Sequence, residues 1–125
     1  ASGPQIPLGQ MTEAVMRSFL VDEISPEDMR RLEDWLRKRG LQSIERLYHF
    51  PLPPDLLSAT QREHAPACGP FYMALESGTD WIKLELLVRA GRSLHCECAA
   101  YATPEQELHM RTCLENLLRE LDIRF

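Results

Sequence analysis

The stretch from Phe71 to Gly91, FYMALESGTDWIKLELLVRAG, decides the fold. Phe71, Met73 and Leu75 alternate with Tyr72, Ala74 and Glu76. Beyond Ser77-Gly78-Thr79-Asp80 the alternation resumes, with Ile82, Leu84, Leu86 and Val88 set against Trp81, Lys83, Glu85, Leu87 and Arg89. A period of two belongs to a strand with one buried face, and a short Gly-bearing turn joins such strands as a hairpin. After Ala90-Gly91-Arg92, a third run alternates Leu94, Cys96, Cys98 and Ala100 with His95, Glu97, Ala99 and Tyr101. The pattern predicts a three-stranded antiparallel meander over 71–101.

A one-residue slip would turn the apolar rows into water, so the faces are strongly specified. Setting Glu76 opposite Trp81 and Arg89 opposite Ser93 keeps the apolar rows together. Met73, Leu84 and Cys98 then share one buried row, and Phe71, Leu86 and Cys96 share the next. On the outer face this register sets Tyr72, Glu85 and Glu97 in line, then Ala74, Lys83 and Ala99. It brings Trp81 beside Glu76 and Tyr101, and Leu87 opposite His95.

Outward from the meander the period becomes helical. Thr103-Pro104-Glu105-Gln106 is a capping box, and Met110, Cys113, Leu114, Leu117, Leu118 and Leu121 form the apolar stripe of a closing helix over 103–122. Upstream, Ser25-Pro26-Glu27-Asp28 opens a helix whose apolar face is Met29, Leu32, Trp35 and Leu36, stopped by Gly40 after Arg37-Lys38-Arg39. Helical spacing also fits Thr12 to about Asp22 (Val15, Met16, Phe19, Leu20) and about Ser43–His49 (Leu41, Ile44, Leu47, Tyr48), with Asp55 to about His64 a fourth segment. His64 to Pro70 reads as a connector, and residues 1–10, with two prolines and two glycines, as a mobile tail. The expectation is one α+β domain over 11–125. Short N-terminal helices (11–64) precede a three-stranded meander (71–101), and a C-terminal helix packs on the sheet.

The chain has 125 residues, 44% hydrophobic and 26% charged, which suits a single core and leaves no room for a second domain. A net charge of −5 argues against phosphate-driven nucleic-acid binding and against anionic membrane surfaces. No apolar stretch is long enough to span a bilayer. The start carries no basic segment followed by an apolar one, so the expectation is a cytoplasmic protein whose four cysteines are thiols.

Chemistry-bearing residues gather on the outer sheet face: Tyr72, Trp81, Lys83, Glu85, Leu87, His95, Glu97 and Tyr101. This is more large apolar surface than a solvated face usually shows, and it opposes two carboxylates. Its cover is expected to be either the chain's own N-terminal helices, with Lys83 or an arginine neutralising the acids, or a second chain. Two carboxylates and a histidine are also acid–base or ligand types, so a small enzyme or ligand-binding domain built on Glu85, Glu97 and His95 is the alternative.

His95-Cys96-Glu97-Cys98 has metal-ligand composition, but strand alternation sends Cys96 and Cys98 to one face and His95 and Glu97 to the other. Cys113, or His64 with Cys68, would have to complete a thiolate-rich zinc site, which makes a zinc-stabilised domain a further alternative. The favoured expectation is free cysteines packing as small apolar side chains, with no metal and no cofactor. Arg30-Arg31, Arg37-Lys38-Arg39 and Arg46 are interleaved with Glu27, Asp28, Glu33, Asp34 and Glu45, the pattern of a solvated helix face.

There is no Gly-rich phosphate loop, no G-x-S-x-G and no H-E-x-x-H. In architecture and charge the chain is similar to secretion-chaperone-like and other interaction modules, a likeness of fold that does not by itself give function. The function expected is a non-catalytic protein-interaction module whose partner is a second copy of itself or another protein.

Overall fold

A computed structural model describes residues 17–93, 96 and 98–125. The expected tail over 1–10, the start of the helix expected from Thr12, and the site residues His95 and Glu97 lie outside the described residues. Within them the architecture is α+β, with three α-helices and a seven-stranded antiparallel sheet.

The elements in chain order are β1 (Ser18–Val21), α1 (Pro26–Lys38), β2 (Gln42–Ile44), β3 (Leu47–Pro51), a 3-10 turn (Pro54–Leu56) and α2 (Ala59–Cys68). They are followed by β4 (Phe71–Ser77), β5 (Ile82–Glu85), β6 (Leu87–Ala90), β7 (Ala100–Tyr101) and α3 (Pro104–Glu120). The sheet runs β1-β5-β4-β3-β2, with β6 pairing both β4 and β7.

Two of the expected helices form as read. Ser25 caps α1 by accepting from the Asp28 N–H at 3.1 Å, Met29, Leu32 and Leu36 are buried, and Gly40 takes φ +72° just past the helix. Thr103 and Gln106 close the capping box of α3, which buries Met110, Leu114, Leu117 and Leu118.

Three upstream expectations are corrected. Phe19 and Leu20 lie in β1, not in a helix: Phe19 pairs with Leu84 and Leu20 with Lys83, so the sheet edge claims the segment. The helix expected over Ser43–His49 is the β2–β3 hairpin. Arg46 at its turn has φ +68°, and Tyr48 and Phe50 are buried while Leu47 and His49 face outward, a period of two that the helical spacing of Ile44, Leu47 and Tyr48 concealed. The segment from Asp55 divides into the 3-10 turn and α2, which runs past His64 to Cys68 with Pro66 inside it. Pro66 has no N–H to donate back along the helix, so its last turn lacks that bond.

The meander is part of a larger sheet, and its register is shifted. Leu75 pairs with Leu84 and Ser77 with Ile82, two residues from the expected pairing. Further along, Phe71 pairs with Ala90 and Tyr72 with Arg89, so β5 and β6 hold two more residues than the stretch of β4 they oppose. The break falls at Leu86, whose backbone turns to the other neighbour: its N–H donates to the Arg17 carbonyl at 3.3 Å and its carbonyl accepts from the Ala102 N–H at 3.0 Å. Both shifts are even, so every side chain keeps its expected face.

Among the described residues the third strand is Ala100–Tyr101. Leu87 pairs with Tyr101, not His95, and Val88 pairs with Ala100. Tyr72 is thus opposite Arg89, Lys83 is opposite Glu76, and Glu85 is opposite Ser18.

All three helices share one face of the sheet. Met29, Leu32 and Leu36 of α1 and Met110, Leu114 and Leu118 of α3 join Met73, Leu75, Ile82, Leu84 and Val88 in a single core. Arg31 of α1 hydrogen-bonds the Leu121 carbonyl after α3, and Gln106 of α3 donates to Gln61 of α2 at 3.0 Å. Among the described residues no helix covers the outer face; the helices expected there pack on the other side.

Candidate metal centre and outer groove

The outer face carries a groove of about 450 Å³ lined by strand residues, among them His49, Tyr72, Lys83, Glu85 and Arg89, with Arg17 at its margin. His49 stacks on Tyr72 with ring centroids 3.8 Å apart and planes 14° from parallel. Its charges are mutually satisfied. Arg89 donates from Nε to Glu85 at 3.0 Å and from Nη2 at 3.3 Å, and Glu85 holds the guanidinium above its ordinary pKa. Lys83 lies 3.7 Å from Glu76. An arginine and Lys83 do neutralise carboxylates, as expected for a covered face, although no helix among the described residues lies on it.

The remaining expected site residues are spread over this face. Trp81 sits at the end of the β4–β5 turn with the Lys83 ammonium 5.9 Å from its ring, packed so closely over Gly78 that a Cβ there would lie 2.1 Å from the indole. Tyr101, paired with Leu87, lies under the Arg17 guanidinium at 5.2 Å. The structure brings Tyr72, Lys83 and Glu85 into the groove and leaves Trp81, Leu87 and Tyr101 outside its lining. His49 and Arg89 were not singled out from the sequence, because His49 had been assigned to a helix.

The second constellation lies at the end of α2. His64 and Cys68, four residues apart, project from one face of the helix. Facing them are Cys96 and Cys98 of the segment between β6 and β7. One ligand atom from each of the four lies within 4.8 Å of every other. His64 Nδ1 is 3.1 Å from Cys96 Sγ, Cys68 Sγ is 3.3 Å from it and Cys98 Sγ is 2.7 Å from it, so Cys96 is the hub. The Cys98 backbone N–H also points at Cys96 Sγ, at 3.4 Å. Cys68 and Cys98 are buried, and His64 and Cys96 are partly buried.

Local structure explains the approach. After β6, the Gly91 N–H donates to the Pro70 carbonyl at 2.8 Å and the Arg92 N–H to the Cys68 carbonyl at 3.0 Å, which folds the chain back over the end of α2. A Cβ at Gly91 would meet the Pro70 carbonyl at 2.5 Å, so only glycine fits. On the far side, buried Gln61 donates from Nε2 to the Cys98 carbonyl at 3.3 Å.

Donation from the Cys98 thiol, then from its backbone N–H, with smaller help from Cys68 and His64, lowers the Cys96 thiol to about 7. Burial, followed by the bond to Cys96, pushes Cys98 up to about 12. Cys113 stands apart on α3, its Sγ 3.4 Å from His109 Nε2. Cys68 and Cys98 lie in the apolar core with Cys96 packed against it, as expected of free cysteines, and they also meet an imidazole, the combination with His64 and Cys68 that the sequence left as the lesser alternative.

Comparison with protein-family models, with curated proteins and with solved structures produced no match. No helix among the described residues is long and apolar enough to cross a membrane.

Proposed function

We propose that this chain is a non-catalytic interaction module that self-associates through the outer face of its sheet. The observation that carries the reading is the one-sided architecture. All three helices pack on one face, and the opposite face stays bare among the described residues. That face exposes Leu20 (53%), Ile44 (65%) and Tyr101 (37%) around the stacked His49–Tyr72 pair and the paired charges of the groove. Aromatic anchors ringed by satisfied polar groups are the usual composition of a protein–protein contact. The groove's acids are held by Lys83 and Arg89, which argues against acid–base catalysis by Glu85. Four cysteines without disulfides fit a reducing compartment such as the cytoplasm.

The test is molar mass by light scattering over a dilution series, for the wild type and for the double substitution Leu20→Glu, Tyr101→Glu. Both positions are exposed, so the variant keeps its helical circular dichroism. A wild-type dimer converted to a folded monomer supports the reading. A wild type that is monomeric at every concentration, or a dimer indifferent to the substitutions, overturns it.

A further inference from the structure

We infer that His64, Cys68, Cys96 and Cys98 form a structural zinc site that pins the β6–β7 connection to the end of α2. Three thiols and an imidazole are the donor set that zinc favours, and the softness of three sulfurs disfavours calcium and magnesium. All four positions are filled by protein, the mark of a closed structural site rather than a catalytic one with a place for water.

With zinc–sulfur bonds of about 2.3 Å and a zinc–nitrogen bond of about 2.0–2.1 Å, a tetrahedral site has ligand-to-ligand edges of about 3.5–3.8 Å. The three edges meeting at Cys96 are shorter, 2.7, 3.1 and 3.3 Å, and all six are within 4.8 Å. Opening the shortest edge moves each of its two sulfurs by about half an ångström, a rotation of side chains with no rearrangement of backbone.

Two other accounts of the cluster fall short of the geometry. Thiols packing as small apolar groups have no need of an imidazole nitrogen 3.1 Å from the central sulfur. A disulfide uses two of the sulfurs and leaves the third thiol and His64 without a purpose. The site also has its outer support: the Cys98 N–H donates to Cys96 Sγ, and Gln61, one turn before His64 on α2, donates to the Cys98 carbonyl. Helix and loop are thereby held in register from both sides of the donors.

The experiment is the zinc content of full-length protein purified without chelator or added metal, read by elemental analysis and native mass spectrometry. One zinc per chain is expected in the wild type and in Cys113→Ser, whose thiol lies outside the cluster. Cys68→Ser and His64→Ala are each expected to lower zinc affinity by at least tenfold. Because these variants risk unfolding, wild-type protein stripped under denaturing, reducing conditions is also refolded with cobalt, where intense thiolate-to-metal absorption together with tetrahedral visible bands reports the same ligands. Folded, reduced wild type that binds neither metal overturns the inference. So does an intact mass two hydrogens light from a Cys68–Cys96 or Cys96–Cys98 disulfide, or zinc lost from Cys113→Ser and kept in Cys68→Ser.

Discussion

Gln61 and Gln106 meet side chain to side chain in the interior: Gln106 Nε2 donates to Gln61 Oε1 at 3.0 Å, while Gln61 Nε2 donates to the Cys98 carbonyl. Each also completes the capping box of its own helix, Gln61 with Ser58 and Gln106 with Thr103. Both are almost wholly buried, and Gln106 adds a second donation to the Leu56 carbonyl at 2.8 Å. The two helix N-termini, the 3-10 turn and the cysteine-bearing segment are tied by one polar chain.

Removing a member strands the others. Gln106→Leu keeps the volume but leaves the Leu56 carbonyl and Gln61 Oε1 each short of a buried donor, and it removes the side-chain acceptor of the Thr103 N–H, one half of the capping box. Unfolding by urea is expected to show a loss of about 2–4 kcal/mol from these unmet groups. A loss below about 0.5 kcal/mol would mean that water replaces the amide.

Face assignment in the central hairpin is tested by neighbours. Leu84 is wholly buried between the sheet and the helices, so Leu84→Ala is expected to cost about 2–5 kcal/mol. Lys83, next to it, lies on the outer face with only a partly exposed ion pair to Glu76, and Lys83→Ala is expected to cost under about 1 kcal/mol. The reverse order would put the hairpin on the wrong face.

That hairpin was legible in the sequence because alternation fixes parity. A two-residue error in register left Leu84 in and Lys83 out. The β2–β3 hairpin was not, since Leu41, Ile44, Leu47 and Tyr48 fit a helical period and only the left-handed backbone at Arg46, invisible in composition, breaks it. The third strand misled for a different reason. Cys96 and Cys98 alternate like strand residues, but they gather with His64 and Cys68, and among the described residues of this run Ala100 and Tyr101 pair with β6. His64 and Cys68 share a helix face that goes unseen once His64 to Pro70 is read as a connector. The i, i+4 spacing of a histidine and a cysteine, set against C-x-C, was the available signal.

In protein stripped of metal and kept reduced, Cys96 is expected to be the first thiol alkylated. The thiolate is the nucleophile, so its rate rises with pH through a midpoint near 7 and is slow below pH 6. Cys98, pushed up to about 12, is expected to stay unmodified across that range while the fold persists. Peptide mapping after short iodoacetamide pulses reads both. Equal labelling of Cys96 and Cys98 at pH 7 would contradict the hub arrangement.

X-ray absorption at the zinc edge of the purified protein tests the central claim most directly, because it counts the donors. The account predicts a first shell of three sulfurs at about 2.3 Å and one nitrogen at about 2.0–2.1 Å. A shell of nitrogen and oxygen alone, or protein with no zinc to measure, would contradict it.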